Sequence, residues 1–164
     1  MIVRPAVAED AAAIIAVRVA SWRAAYGAHL PPDVWDGFDP VPAARRLAGS
    51  IAARRLLALV AEVDDAVGGY VFYGPARDDD LAAGVGEVYA IYVHPARWST
   101  GAGRALLGAA LDELGDVPAV LWVLEVNERA RRFYEIAGFR LDGAVKPAEL
   151  PGGVELPEVR YRIR

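Results

Sequence analysis

The stretch from Glu87 to Gly115, EVYAIYVHPARWSTGAGRALLGAALDELG, constrains the fold of this chain more than any other. Residues Glu87 to Val93 are mostly β-branched or aromatic and suit a pleated surface. His94-Pro95 ends that strand, because proline cannot donate to a ladder. Ser99 to Gly103 is small and flexible. Ala105, Leu106, Ala109, Ala110 and Leu114 then recur at helical spacing, up to a terminating Gly115. A helix that starts on such a turn presents unpaired backbone N–H groups and the positive end of its dipole. Phosphate is the usual anion at such a place, and Arg97 and Arg104 flank it with charge. The segment reads as a turn that holds the pyrophosphate of a nucleotide-containing cofactor.

The flanking sequence supplies the rest of an α/β chain. Ile2 to Pro5 is a short strand. Glu9 to Tyr26 is a helix with acid in its first turn, and Trp22 and Tyr26 share one of its faces. Asp33 caps a short helical turn, Val34 to Phe38, and Pro42 to Ala53 is a further helix. Leu56 to Val63 and Gly69 to Tyr73 form a hairpin across Asp64-Asp65. Pro75 to Gly84 reads as a polar loop whose run Asp78-Asp79-Asp80 faces solvent. Ala119 to Val126 is an apolar strand, Asn127 to Ala137 a helix, and Phe139 to Val145 a strand. Lys146 to Leu156, with Pro147, Pro151, Gly152 and Gly153, reads as a loop. Glu158 to Arg164 alternates, with Val159, Tyr161 and Ile163 inward and its other face exposed.

Composition narrows the function. With 164 residues, the expectation is one domain over 1–164. There is no cysteine, which excludes a disulfide scaffold, a thiolate nucleophile and a cysteine metal site. The two histidines, His29 and His94, are too few for a histidine cage, so no metal is expected. A net charge of −4 argues against a nucleic-acid partner. No apolar run approaches the ~20 residues that cross a bilayer, and the N-terminal residues lack a leader pattern. A cytoplasmic protein without membrane contact is expected.

Other glycine turns fit less well. A dinucleotide fingerprint needs a third glycine where Leu106 stands, although Glu125 is a tempting acid beyond it. A Walker A loop lacks its Lys-Ser/Thr, and no G-x-S-x-G elbow is present. An ordinary strand–loop–helix connection remains open on local sequence alone.

A second segment, LWVLEVNERARRFYEIAGFR, carries an apolar strand, Asn127, Ala130, Phe133-Tyr134 and Gly138-Phe139 in that order. Together with YVHPARWSTGAGRALL it resembles the GNAT superfamily of acyl-CoA-dependent N-acyltransferases. The two segments cover residues 87 to 140. The resemblance implies a single-domain fold whose mixed, mostly antiparallel sheet of about seven strands is flanked by helices and splayed at its central parallel strand pair. It implies acetyl-CoA as cosubstrate, CoA as product, and a small-molecule or peptide amine as acceptor. The backbone amides of Trp98, Ser99, Thr100, Gly101, Ala102, Gly103 and Arg104 would cradle the phosphates. Trp98 departs from the family's Gln or Arg, and Arg97 is a candidate to replace that side-chain contact. The main chain of Ile91, Tyr92 and Val93 would run along the pantetheine arm, with the Ile91 N–H as oxyanion donor. Asn127, Ala130 and Arg131 would contact the arm, and Asn127 also suits a helix N-cap. The resemblance also allows a homodimer, with the exposed face of the last strand as candidate interface.

The chemistry asks for a group that deprotonates an amine and one that protonates a thiolate. Strand alternation puts Glu87, Tyr89, Ile91 and Val93 on one face. Family members carry a glutamate base at the spacing of Glu87, which reads either as that base or as a structural carboxylate paired with an arginine. Asn127, Ala130, Arg131 and Tyr134 share a helix face, with Phe133, Ile136 and Ala137 as a separate core set. In the family the tyrosine at this place sits near the thioester sulfur, which makes Tyr134 the candidate acid. Without cysteine, direct attack in a ternary complex is favoured over an acyl-enzyme. Trp22 and Tyr26 read either as core packing or as one wall of an acceptor pocket, Tyr89, Tyr73 and Trp122 either complete that pocket or belong to the core, and His29 lies in the acceptor-side loop. A non-catalytic acyl-CoA sensor and a nucleotide-binding oxidoreductase are the competing readings.

Overall fold

The computed structural model describes residues 1–164. The chain runs β1 (Ile2–Pro5), α1 (Ala11–Tyr26), α2 (Pro40–Ala52), β2 (Leu57–Val63), β3 (Ala66–Pro75), β4 (Gly86–Val93), α3 (Ala102–Leu114), β5 (Ala119–Leu124), α4 (Glu128–Ile136), β6 (Arg140–Leu150) and β7 (Val154–Ile163). The strands form a 7-stranded sheet in the order β1-β2-β3-β4-β5-β7-β6. Every neighbouring pair is antiparallel except β4–β5. The expected α/β architecture is the one observed.

Local chemistry sets the element ends. Asp39 Oδ1 accepts from the Val41 N–H at 2.9 Å and caps α2, with Pro40 in its first turn. Arg4 grips both oxygens of Asp10, at 2.7 and 2.9 Å, and reaches Glu62 at 2.9 Å, which pins β1, the start of α1 and β2 together. The Arg4 guanidinium holds the Asp10 carboxyl below the usual carboxylate range.

The two sheet faces carry separate cores. On one, Val71, Tyr73, Val88 and Leu121 meet α3 through Ala102, Leu106 and Ala110, and α4 through Tyr134. On the other, Val60 and Tyr70 meet α1 and α2 through Ile14, Val17 and Ile51. Tyr73 is therefore core. Tyr26, Leu30, Leu124 and Leu150 close the far end of the α1 face. No helix is long and apolar enough to cross a membrane.

Several expectations are corrected. Residues 34–38 form no helix; the segment is a chain of turns, with Val34, Asp36 and Phe38 N–H groups each bonding three residues back. The expected loop from 146 to 156 is mostly strand, because β6 and β7 form a long hairpin in which Pro147 stands opposite Pro157. The Pro157 carbonyl points to β5, accepting from the Glu125 N–H at 2.8 Å. The two prolines thus occupy a non-hydrogen-bonded pair, where neither costs the β6–β7 ladder a bond, and β6 is the sheet edge. In α4 the core residue is Tyr134. Ile136 is 71% exposed and Ala137 is exposed, since the short helix turns only its Ala130–Tyr134 side to the sheet.

The outer face of β7 is covered rather than exposed. Arg160 is only 5% exposed and is gripped by Asp78, Asp80 and Asp142 at 3.0, 2.6 and 2.7 Å. Asp78 also accepts from Trp122 Nε1 at 2.7 Å. The acidic run in the 76–84 loop is thus a clamp that lays the loop on the sheet, and the proposed interface on this face is occupied at Arg160 by the chain itself. Arg160→Met should lower stability by about 2 kcal/mol, because it leaves clustered carboxylates without their counter-ion. It should also make the 76–84 loop a preferred protease cut. Thermal denaturation and limited proteolysis check this, and an unchanged midpoint with an uncut loop would sink it.

Candidate functional site

The site is built where the sheet comes apart. β4 and β5 pair only over Gly86–Val88 with Ala119–Leu121, and beyond that the two strands diverge. The end of β4 stays with β3, as in the His94 N–H bond to Gly68 O at 2.8 Å. The end of β5 stays with β7, through Glu125 and Pro157. Because His94 points its N–H at β3, alternation turns the N–H and C=O of Ile91 and Val93 toward the split.

Val93 O is already claimed twice, by Ser21 Oγ at 3.0 Å and by Trp98 Nε1 at 2.7 Å. Trp98 also stacks under the Arg129 guanidinium, 3.8 Å from the ring centroid. The residue that breaks the family pattern therefore fastens the turn to β4 and α4. Ser21 was not foreseen from sequence, since a serine inside an apolar helix carries no local signal.

The turn after β4 has the form of an anion cradle. Ser99 and Gly101 both adopt positive φ, 63° and 91°. None of the backbone N–H groups from Ser99 to Arg104 has an acceptor within the chain; bonding resumes at Ala105, whose N–H reaches Gly101 O at 3.0 Å. Successive free N–H groups at a helix start suit phosphate oxygens. Arg104 has no ion pair. Arg97 is held by Asp64 at 2.7 Å, at the far side from the split, so its charge is shared.

Side chains converge on the split from both sheet faces. From α1 come Trp22 and Tyr26, with ring centroids 5.1 Å apart, and Trp22 lies 6.5 Å from Tyr92 of β4. Trp22 Nε1 is buried without a partner. Asn127 caps α4 by accepting from the Ala130 N–H at 3.0 Å and donates to Tyr26 Oη at 2.7 Å. From α4 comes Tyr134, whose phenol pKa burial raises strongly, with Tyr92 and Tyr26 close enough to add to the effect. Tyr26 and Tyr92 are raised as well, by burial first. All three hold their protons at neutral pH. Arg131 turns aside to Tyr161 Oη at 3.2 Å and Glu125 O at 3.2 Å.

The strand alternation expected for β4 fails at Tyr89. The register passes from Phe72 opposite Ala90 to Tyr73 opposite Val88, leaving Tyr89 as the extra residue of a β-bulge. Val88, Ile91 and Val93 therefore share the α3 face, while Ala90 and Tyr92 face α1. Glu87 lies on the α1 side with them, not with Ile91 and Val93. A bulge has no composition signal in this strand, so simple parity missed it.

Glu87 is 2% exposed, and its carboxylate is engaged by one residue. Oε2 accepts from the Arg77 N–H at 3.0 Å and Nε at 3.2 Å, and Oε1 accepts from the other guanidinium nitrogen at 2.6 Å. The same guanidinium lies 4.1 Å over the Tyr89 ring, and Tyr89 Oη donates to Pro75 O at 2.7 Å. Tyr89 thus ends under Arg77, away from Trp22 and Tyr26. His94 Nδ1 accepts from the Ala96 N–H at 3.2 Å and caps the Pro95–Arg97 turn.

Glu158 of β7 was not singled out from sequence. It stands opposite Leu124 of β5 and Lys146 of β6, on the α1 side of the sheet. Half-buried, with no hydrogen bond or ion pair, its carboxyl is pushed above the usual range by burial, against the pull of Lys146 and Arg77.

Comparison with known proteins bears on this geometry. The model of the acetyltransferase (GNAT) family matches residues 14–139. The chain is 33% identical over 159 residues to an uncharacterized N-acetyltransferase, YuaI, of Bacillus subtilis strain 168, covering 85% of this chain and 87% of that one. Among solved structures, YncA of Salmonella typhimurium, a putative acetyltransferase with its cofactor acetyl-CoA, superposes with TM-score 0.73 and 25% identity over 100% of this chain and 93% of that one. PaiA N-acetyltransferase of Thermoplasma acidophilum, solved with coenzyme A, shares the fold at TM-score 0.74 and 19% identity, over 98% and 96% of the two chains.

Asn127→Ala removes a helix cap and the α4–α1 bond in one step. It should cost about 1–2 kcal/mol, read as a lower thermal midpoint, whereas Asn127→Asp should keep the cap and most of the stability. Equal midpoints for the alanine variant and the parent protein would refute the capping role.

Proposed function

Because the chain belongs to the GNAT family of acetyltransferases, we propose that it acts as one domain over 1–164 to move an acetyl group from acetyl-CoA to a primary amine by direct attack within a ternary complex. It is an acetyl-CoA-dependent N-acetyltransferase, with CoA as product. The observation that carries the proposed mechanism is the pairing of the split sheet with the run of free N–H groups from Ser99 to Arg104. One end of the split offers a pyrophosphate cradle and its edge offers main-chain partners for an extended arm, so the residues present fit acetyl-CoA.

Each residue then has a part. The amides from Ser99 to Arg104 bind phosphate, with Arg104 adding charge; the Trp98 N–H is spent on Pro95 O. Ile91 and the Val93 N–H pair with the arm, and the Ile91 N–H stabilises the thioester oxyanion. Tyr134 gives its proton to the departing thiolate, a role supported by a phenol that burial keeps protonated. Asn127 and Ala130 border the arm. Trp22, Tyr26 and Tyr92 wall the acceptor side. Glu87 is supported better as a structural carboxylate than as the base, because Arg77 occupies both of its oxygens.

Calorimetric titration with acetyl-CoA, with NADH and ATP as controls, tests the reading: one-to-one binding of acetyl-CoA alone is expected, and its absence overturns it. Gly101→Val should weaken that binding about tenfold, since a side chain at a left-handed φ costs about 1–2 kcal/mol. Tyr134→Phe should lower kcat by about a hundredfold with acetyl-CoA affinity unchanged. Glu87→Gln should raise the acceptor KM more than it lowers kcat; a large fall in kcat alone would restore Glu87 as the base.

A further inference from the structure

The α1 side of the sheet beside the split carries several charged groups, and nearly all are matched. Glu87 has Arg77. Asp78, Asp80 and Asp142 surround Arg160, and Lys146 lies 3.6 Å from Asp78 and 3.9 Å over the Trp122 ring. Glu158 alone among these carboxylates is unmatched. It projects from β7 on the same side as its partner Leu124, which packs with Tyr26. Its charge is felt at both Tyr26 and Tyr92, the residues that wall the acceptor side.

We propose that Glu158 receives the acceptor amine, first as counter-ion of the incoming ammonium and then as the base that takes its proton. The proposal rests on the N-acetyltransferase reading and assigns the acceptor class: a primary amine that arrives charged. The proton balance closes. One ammonium proton passes to Glu158 and leaves to solvent. The neutral nitrogen forms the C–N bond as the C–S bond breaks. The thiolate takes the Tyr134 proton, and the second nitrogen proton restores that phenol, leaving an amide N–H. Half-burial serves this step in two ways. It strengthens attraction to an ammonium, and a raised carboxyl is a better base toward an amine than an ordinary one. The groups that face Glu158 and tune its titration are Lys146, Arg77, Asp78, Glu87, Tyr26 and Tyr92.

The test uses the full chain saturated with CoA, titrated calorimetrically with methylamine, benzylamine and spermidine as probes. At least one is expected to bind, with affinity rising as the pH is raised past the ordinary glutamate range and Glu158 ionises. Glu158→Gln should weaken that binding by roughly tenfold or more and flatten its pH dependence, while CoA affinity stays at the parent value, which also certifies that the variant is folded. Glu158→Asp keeps the charge and should retain part of the binding. Equal amine binding by Glu158→Gln overturns the proposal, and so does failure of all three amines to bind a protein that binds CoA. Failure to bind CoA overturns instead the N-acetyltransferase reading beneath it.

Discussion

The molecule depends on the divergence of β4 from β5 beyond the Val88–Leu121 pair. Backbone N–H and C=O groups without partners are costly in a folded interior, so two strands at the centre of a sheet do not separate without being held. Here each is held from behind. The end of β4 is tied to β3, to Ser21 of α1 and to the Trp98 indole, all within one short stretch of main chain. The end of β5 is tied to β7 through Glu125 and Pro157. Tyr26 and Asn127 then bridge α1 to α4 across the divergence. The sheet is wedged open by its surroundings, and its exposed main-chain edges suit a ligand that can pair as a strand does.

The same economy governs charge. The α1 side of the sheet beside the split sets the aspartates of the 76–84 loop against Arg160 of β7, and most of its charges are paired. Arg160 collects Asp78, Asp80 and Asp142, and Arg77 collects Glu87. Buried ion clusters of this kind add little net stability, but they fix geometry, because each guanidinium accepts few arrangements. The loop over residues 76–84 thereby becomes a fixed wall although its sequence is polar and short of apolar anchors. Against that background the half-buried, unmatched carboxylate of Glu158 stands out.

Much of this was legible in the chain. The strand–turn–helix unit, the helix opened by Asn127 and the α/β architecture follow from periodicity, proline and glycine placement and helix-cap chemistry. What was not legible depends on pairing between distant segments. Pro147 and Pro157 argue for a loop until each is seen opposite the other in a register that spares their missing donors. The aspartates at 78 and 80 argue for solvent until Arg160 is placed beneath them. Glu158 was passed over because strand alternation alone predicts an exposed, solvated acid there. Trp98 looked like a defect in a phosphate turn and is instead a fastener, a role that depends on the Val93 carbonyl and the Arg129 guanidinium.

The bulge at Tyr89 has a consequence for how such a chain can change over generations. The extra residue sets the phase between the Glu87 end of the strand and the Ile91–Val93 end, like an offset between two gears on one shaft. Deleting one codon between them would restore regular alternation and rotate one end by half a turn. Either Val88 would leave the core and Glu87 would be driven into it, or the Ile91 and Val93 side chains would swing to the helix-α1 side. Lineages of this protein can therefore exchange side chains along the strand freely, yet insertions and deletions within it should be purged, and alignments that slide a gap through residues 88 to 90 will pair residues from opposite faces of the sheet.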